Sequence, residues 1–141
     1  MKIVVDTNII FSGIFFQGAP GRILEDILNK DYQIVLSEAI VSEYRNVIVR
    51  YAKKKKVLDL SAPLEIIDLL MSEAFFVDTD GVLTPTCADP DDIKFLQAAI
   101  ASKSKYLISG DKHLLDVGKY TGGTVIKAQD FLTYRTAHHK L

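Results

Sequence analysis

Four carboxylates carry the chemistry that can be read from this chain: Asp6, Glu43, Asp92 and Asp111. Asp6 ends a short β-branched run, Lys2-Ile3-Val4-Val5, and Asp111 follows a second, Tyr106-Leu107-Ile108-Ser109, with Gly110 between. In open α/β sheets ligands lie outside the carboxyl ends of the strands, so both acids fall on one rim. A single acid at a strand-to-helix junction is equally well explained as a helix cap. Several acids reaching one crevice are not, because like charges a few ångströms apart cannot all ionise without a compensating cation. Hard oxygen donors of this kind imply Mg²⁺ or Mn²⁺, ions that keep several waters and bind phosphate oxygens. Activation of water beside a stabilised leaving oxygen fits phosphodiester hydrolysis.

Helical periodicity places the other two acids. From Ser37, a suitable cap, Ile40, Val41, Tyr44, Val47, Ile48 and Tyr51 recur on one stripe, and Glu43 borders it at about −60° from Ile40, counting ~100° per residue. The competing reading is a Glu that snorkels to solvent. In Asp89-Pro90-Asp91-Asp92, the arc of Ile93, Phe95, Leu96, Ala99 and Ile100 contains Asp92 and leaves Asp91 outside. Asp89 is best explained as the cap before a first-turn proline. Acids there also suit the helix macrodipole, so a purely structural reading of this cluster stands beside the functional one.

The elements that must hold these residues follow from the same patterning. Strands are expected at residues 2–5, 32–36, 74–77, 106–109 and 124–126, with helices at 22–28, 37–56, 61–72, 89–104, Lys112–Val117 and a last turn at 129–134. Gly13, Gly18, Pro20 and Gly21 punctuate what reads as an apolar loop. Alternating strands and helices at crossover spacing predict an α/β fold, a mostly parallel central sheet of about five strands flanked by helices. One domain over residues 1–135 is expected, with 136–141 as a tail.

Composition narrows the field. The chain has 141 residues, 48% hydrophobic and 25% charged, enough to bury a core without staples. Its lone Cys87 can form no internal bridge and points to a reducing compartment. No signal-peptide pattern or membrane-spanning apolar run is present, so the protein reads as cytoplasmic with no membrane role. Seventeen basic and eighteen acidic residues leave a net charge of −1, which does not advertise a nucleic-acid partner. Ser12, Ser37 and Ser109 lack a Gly-x-Ser-x-Gly context, and no P-loop or Gly-x-Gly-x-x-Gly element occurs, which argues against a hydrolase of the α/β type, a P-loop NTPase and a dinucleotide enzyme.

Val4-Val5-Asp6-Thr7-Asn8-Ile9, Glu43 in its long helix, Asp89-Pro90-Asp91-Asp92-Ile93-Lys94-Phe95-Leu96 and Ile108-Ser109-Gly110-Asp111-Lys112-His113-Leu114-Leu115 together resemble the PIN-domain family. The likeness is to the toxin (VapC-like) ribonucleases of prokaryotic toxin–antitoxin systems and spans almost the whole chain. It implies a Rossmann-like sheet and a Mg²⁺/Mn²⁺-dependent endoribonuclease that leaves a 3′-hydroxyl and a 5′-phosphate. It also implies a small antitoxin and a homodimer as partners. By resemblance Asp6, Glu43, Asp92 and Asp111 are the metal-site and catalytic acids, while Asn8 and Ser109 orient them. Some members carry a fifth acid where this chain has His113, a place Asp116 would have to fill, and Asp91 stays an alternative to Asp92.

An acidic site that acts on RNA needs basic residues to counter repulsion of phosphate, and Arg22, Arg45, Arg50, Lys94 and Lys112 are candidates that the sequence does not rank. Lys53 to Lys56 reads first as a solvated helix end. Ile14, Phe15 and Phe16 read first as core. His138-His139 has no metal-ligand spacing. Two other readings remain: a PIN-like module that binds a partner without catalysis, and a phospho-receiver domain, which predicts an early acidic pair that Lys2-Ile3-Val4-Val5-Asp6 lacks.

Overall fold

A computed structural model describes residues 1–138 of the chain, with side chains through residue 135. Its centre is a six-stranded sheet in the order β3-β2-β1-β4-β6-β5, built from β1 (Lys2–Val5), β2 (Gln33–Leu36), β3 (Phe75–Phe76), β4 (Tyr106–Ile108), β5 (Lys119–Tyr120) and β6 (Gly123–Ile126). All pairings are parallel except β5 with β6, which close an antiparallel hairpin. The near-continuous apolar strands match a sheet covered on both faces: Ile3, Val4, Val5, Leu107 and Ile108 are fully buried. The expected count of about five strands is one short. Two-residue β5 carries no alternation that sequence could show, and its turn at Gly122 needs a positive φ of 92°.

The helices are α1 (Thr7–Phe15), α2 (Gly18–Leu28), α3 (Glu38–Lys55), α4 (Ser61–Glu73), α5 (Ile93–Ser102), α6 (Lys112–Val117) and α7 (Ala128–His138), and a 3-10 turn at Pro90–Asp92 leads into α5. The apolar loop expected around Gly13 is instead α1 and the first turn of α2. Gly13 is there for packing: a Cβ on it would lie 2.8 Å from the Pro20 carbonyl oxygen and 3.3 Å from the Leu24 Cβ, so its absence lets the two helices touch. The chain reverses between them through Gln17 and Gly18, both at positive φ. Pro20 sits in the first turn of α2, where a missing N–H costs nothing. Because α7 runs to His138, residues 136–138 continue a helix where a tail was expected; 139–141, with His139, lie outside the described residues.

Strand β1 sits between β2 and β4, with β3 at the edge beside β2. A phospho-receiver sheet runs 2-1-3-4-5, so this order overturns that reading. Among the described residues no helix is long and apolar enough to cross a membrane.

Candidate active site at the carboxyl rim of the sheet

Neighbouring strands β1 and β4 bring Asp6 and Asp111 to one rim, since Val5 pairs in register with Ile108 and the Asp6 amide donates to the Ile108 carbonyl at 2.9 Å. Ser109 joins them. Its hydroxyl donates to Asp6 Oδ2 at 2.6 Å and accepts from the Asp111 amide at 2.9 Å. The capping explanation holds for Asp111, whose Oδ1 accepts from the His113 amide at 2.8 Å. It fails for Asp6, which stands at the N-cap of α1 yet makes no side-chain cap bond. Its carboxyl is turned to Ser109 and buried, and burial together with the charges of Asp111 and Glu43 raises its pKa against the lowering effect of the Ser109 bond.

Asp92 is the most strained of the acids electrostatically. It is only 7% exposed, whereas Asp91 is exposed, and Asp89 caps the turn by accepting from the Asp91 amide at 3.0 Å. The helical-face argument that chose Asp92 for the interior therefore matches the geometry. Burial first, then the charges of Asp111, Asp6 and Asp89, push the Asp92 carboxyl up to about 7. Its Oδ2 is buried with no hydrogen-bond partner. An orphaned carboxylate oxygen facing like charges fits a hard divalent cation, which would remove both penalties at once. Among the described residues no three acids, histidines or cysteines are already drawn into coordination geometry. Asp116 is exposed on α6 and is not among the charges acting on Asp6 or Asp92.

Glu43 emerges at the edge of the buried stripe of α3, as its helical angle required, but it does not snorkel into free solvent. Thr7 donates its hydroxyl to Glu43 Oε2, and Lys94 reaches Oε1 at 2.7 Å while also donating to the Asp91 carbonyl at 2.6 Å. Lys94 thus ties α3 to the start of α5. Two positioning residues escaped the sequence reading. Thr7 holds Glu43, while Asn8, expected to orient an acid, is exposed on α1 and bonds to none of them. Tyr44, fully inside the apolar stripe, donates its hydroxyl to the Val5 carbonyl at 2.5 Å and so seats α3 against the strand that ends in Asp6. Thr7 was visible only as the residue beside Asp6, and Tyr44 only as a polar tip on an apolar stripe.

The basic candidates separate clearly. Arg22 pairs with Asp26 at 3.5 Å, which also pairs with Arg135 of α7 at 3.3 Å. Arg45 pairs with Asp68 of α4 at 3.3 Å. Lys112 is exposed at the start of α6, beside Asp111 in sequence, and Lys94 alone contacts a site acid. Phe16 is 61% exposed, so it is not core; with Phe11, Phe15 and Tyr51 it forms an aromatic cluster where α1 meets α3, Phe15 and Tyr51 lying 4.7 Å apart between ring centres.

Comparison with known proteins bears on the fold. A family model described as PIN domain matches residues 2–113. Among solved structures the chain is similar to the crystal structure of VapBC2 from Rickettsia felis bound to a DNA fragment from their promoter, with a TM-score of 0.60 and 14% identity over 90% of this chain and 98% of that one. At that identity the likeness is one of fold. No curated protein sequence matches the chain.

Proposed function

The chain belongs to the PIN-domain family, and from that premise we propose that it is a metal-dependent endoribonuclease acting through Asp6, Glu43, Asp92 and Asp111, the toxin of a toxin–antitoxin pair. The observation that carries this reading is the buried, unpartnered Asp92 oxygen set among like charges at the rim, an arrangement a fold would not keep for stability alone. Asp6, Asp92 and Asp111 would hold Mg²⁺ or Mn²⁺, which when bound neutralises the carboxylates and polarises water and phosphate oxygens.

The chain's own groups then have distinct tasks. Ser109 fixes the Asp6 carboxyl relative to Asp111, so that two acids on separate strands present a defined spacing. Thr7 and Lys94 hold both oxygens of Glu43, which sets a carboxylate beside the crevice to orient the attacking water. Lys94 supplies the positive charge nearest the acids and lessens their repulsion of a phosphodiester. The fold-level neighbour is a complex of two proteins, and a small antitoxin that covers the crevice, with a homodimer of this chain, belongs to the same proposal.

Attack by water, rather than by the ribose 2′-hydroxyl, leaves a 5′-phosphate and a 3′-hydroxyl. End-group analysis of RNA cut by the purified protein in Mn²⁺ is expected to show those ends. A 2′,3′-cyclic phosphate would contradict the mechanism.

A further inference from the structure

Beside the acids an open groove of about 690 Å³ runs along the outer face of α3, lined by Glu43, Asn46, Arg50 and Lys53 from that helix and by Asp91 and Lys94 across it. Asn46, Arg50 and Lys53 follow Glu43 by three, seven and ten residues, which keeps all four within about 80° on one helix face. At ~1.5 Å per residue, Arg50 lies about 10 Å and Lys53 about 15 Å from Glu43 along the axis. At the inner end Lys94 offsets Glu43, being bound to its Oε1 and to the Asp91 carbonyl, and the Asp91 carboxylate leaves one negative charge there. Among the described residues Arg50 and Lys53 make no ion pair or side-chain hydrogen bond, and both are exposed. This sets them apart from Arg22, Arg45 and Arg135, each of which is committed to an acid.

Resting on the nuclease reading above, we infer that this groove is the track of the RNA strand, with Arg50 and Lys53 holding backbone phosphates on one side of the scissile bond and Glu43 and Lys94 at the point where the track meets the acids. Uncommitted cations in line, leading to a polar, open crevice, are what a polyanionic backbone recognises. The groove is open enough for an extended strand, and its three cations, Arg50, Lys53 and Lys94, outnumber its two carboxylates, Glu43 and Asp91. Each phosphate contact releases about 0.7 counterion from a single strand, so two contacts carry roughly 25-fold in affinity at ~0.1 M salt.

The test is binding of a fluorescent single-stranded RNA, followed by anisotropy across a salt series without metal, to Asp6→Asn protein and to the same protein carrying Arg50→Ala and Lys53→Ala. The expected result is a loss of roughly 25-fold at ~0.1 M salt and a fall of about 1.4 in the slope of log affinity against log salt. Lys119→Ala with Lys127→Ala, two exposed lysines near the β5–β6 hairpin, is expected to change neither. Equal weakening by both pairs, no weakening by the groove pair, no binding by the parent, or displacement of the RNA by polyglutamate at equal charge overturns the track, the last in favour of an acidic protein segment. Failure of the nuclease reading looks different: groove-dependent binding with no Mn²⁺-dependent cutting by the wild-type chain. Arg50→Glu with Lys53→Glu repeats the test with a larger expected loss, and an unchanged melting temperature in each variant shows that the fold is intact.

Discussion

An aspartate with its pKa pushed to about 7 is a liability to the metal-free fold, and the sign of that liability can be worked out. Below about pH 4 the folded and unfolded chains both keep the proton on Asp92 and there is no penalty. Between there and about 7 the unfolded chain gives the proton up while the folded chain retains it, so stability falls as pH rises, and above about 7 the whole penalty stands. Asp92→Asn is therefore expected to raise the stability of the metal-free protein at pH 8 by about 1–3 kcal/mol, a gain that vanishes towards pH 4, measured by denaturant titration at both values. A destabilised Asp92→Asn at pH 8 would show that the carboxylate serves the fold. Sequence could reach the acids because each has a local signature: Asp6 and Asp111 follow apolar strands, and Asp92 falls within an apolar helical arc. It could not reach what holds them. Thr7 meets Glu43 36 residues away, Tyr44 meets Val5 39 away and Lys94 meets Glu43 51 away, and no local pattern encodes such pairs.

Helix α1 shows how an element can hide behind its own glycine. Gly13 reads as a breaker, yet it lies within a nine-residue helix that starts directly after Asp6 and is pressed against α2 at the Pro20 carbonyl. Since α1 also carries Thr7, the α1–α2 contact bears on where Glu43 is held. Gly13→Ala is expected to push the helices apart and lower stability by about 1–3 kcal/mol. Gly110→Ala, although next to Asp111, meets no atom within 4 Å and is expected to leave the melting temperature nearly unchanged. Thermal melts of the pair check this, and equal effects would mean that the contact at Gly13 is not what that glycine is for. The strongly periodic α3 and the Ser37 cap, which accepts from the Ile40 amide at 3.3 Å, were legible because both signals are local. β5 was not, since two residues paired only with β6 have a non-local cause.

At the scale of the whole molecule, the parallel sheet is a device for gathering acids that the chain keeps far apart. The β1–β4 pairing sets Asp6 beside Ser109 across 103 residues, and α3 and the 3-10 turn before α5 supply Glu43 and Asp92. Fold class and rim were readable from strand–helix alternation, but which basic residues serve the site was not, because pairing of Arg22 and Arg45 with acids depends on how helices pack. A cation that binds only the folded chain must stabilise it: Mn²⁺ at ~100 times its dissociation constant is expected to add about 2.7 kcal/mol, seen as a rising melting temperature that Asp6→Asn loses. A flat curve would remove the metal from the account.

The most direct measurement is cleavage of a mixed pool of tRNA, rRNA and unstructured RNA by the purified chain with Mn²⁺, beside Asp6→Asn and an EDTA control. Cutting that needs Mn²⁺ and disappears in a folded Asp6→Asn is the result expected from a nuclease built on these four acids. Cutting that persists unchanged in Asp6→Asn, or no cutting by a folded protein that binds Mn²⁺, would contradict it.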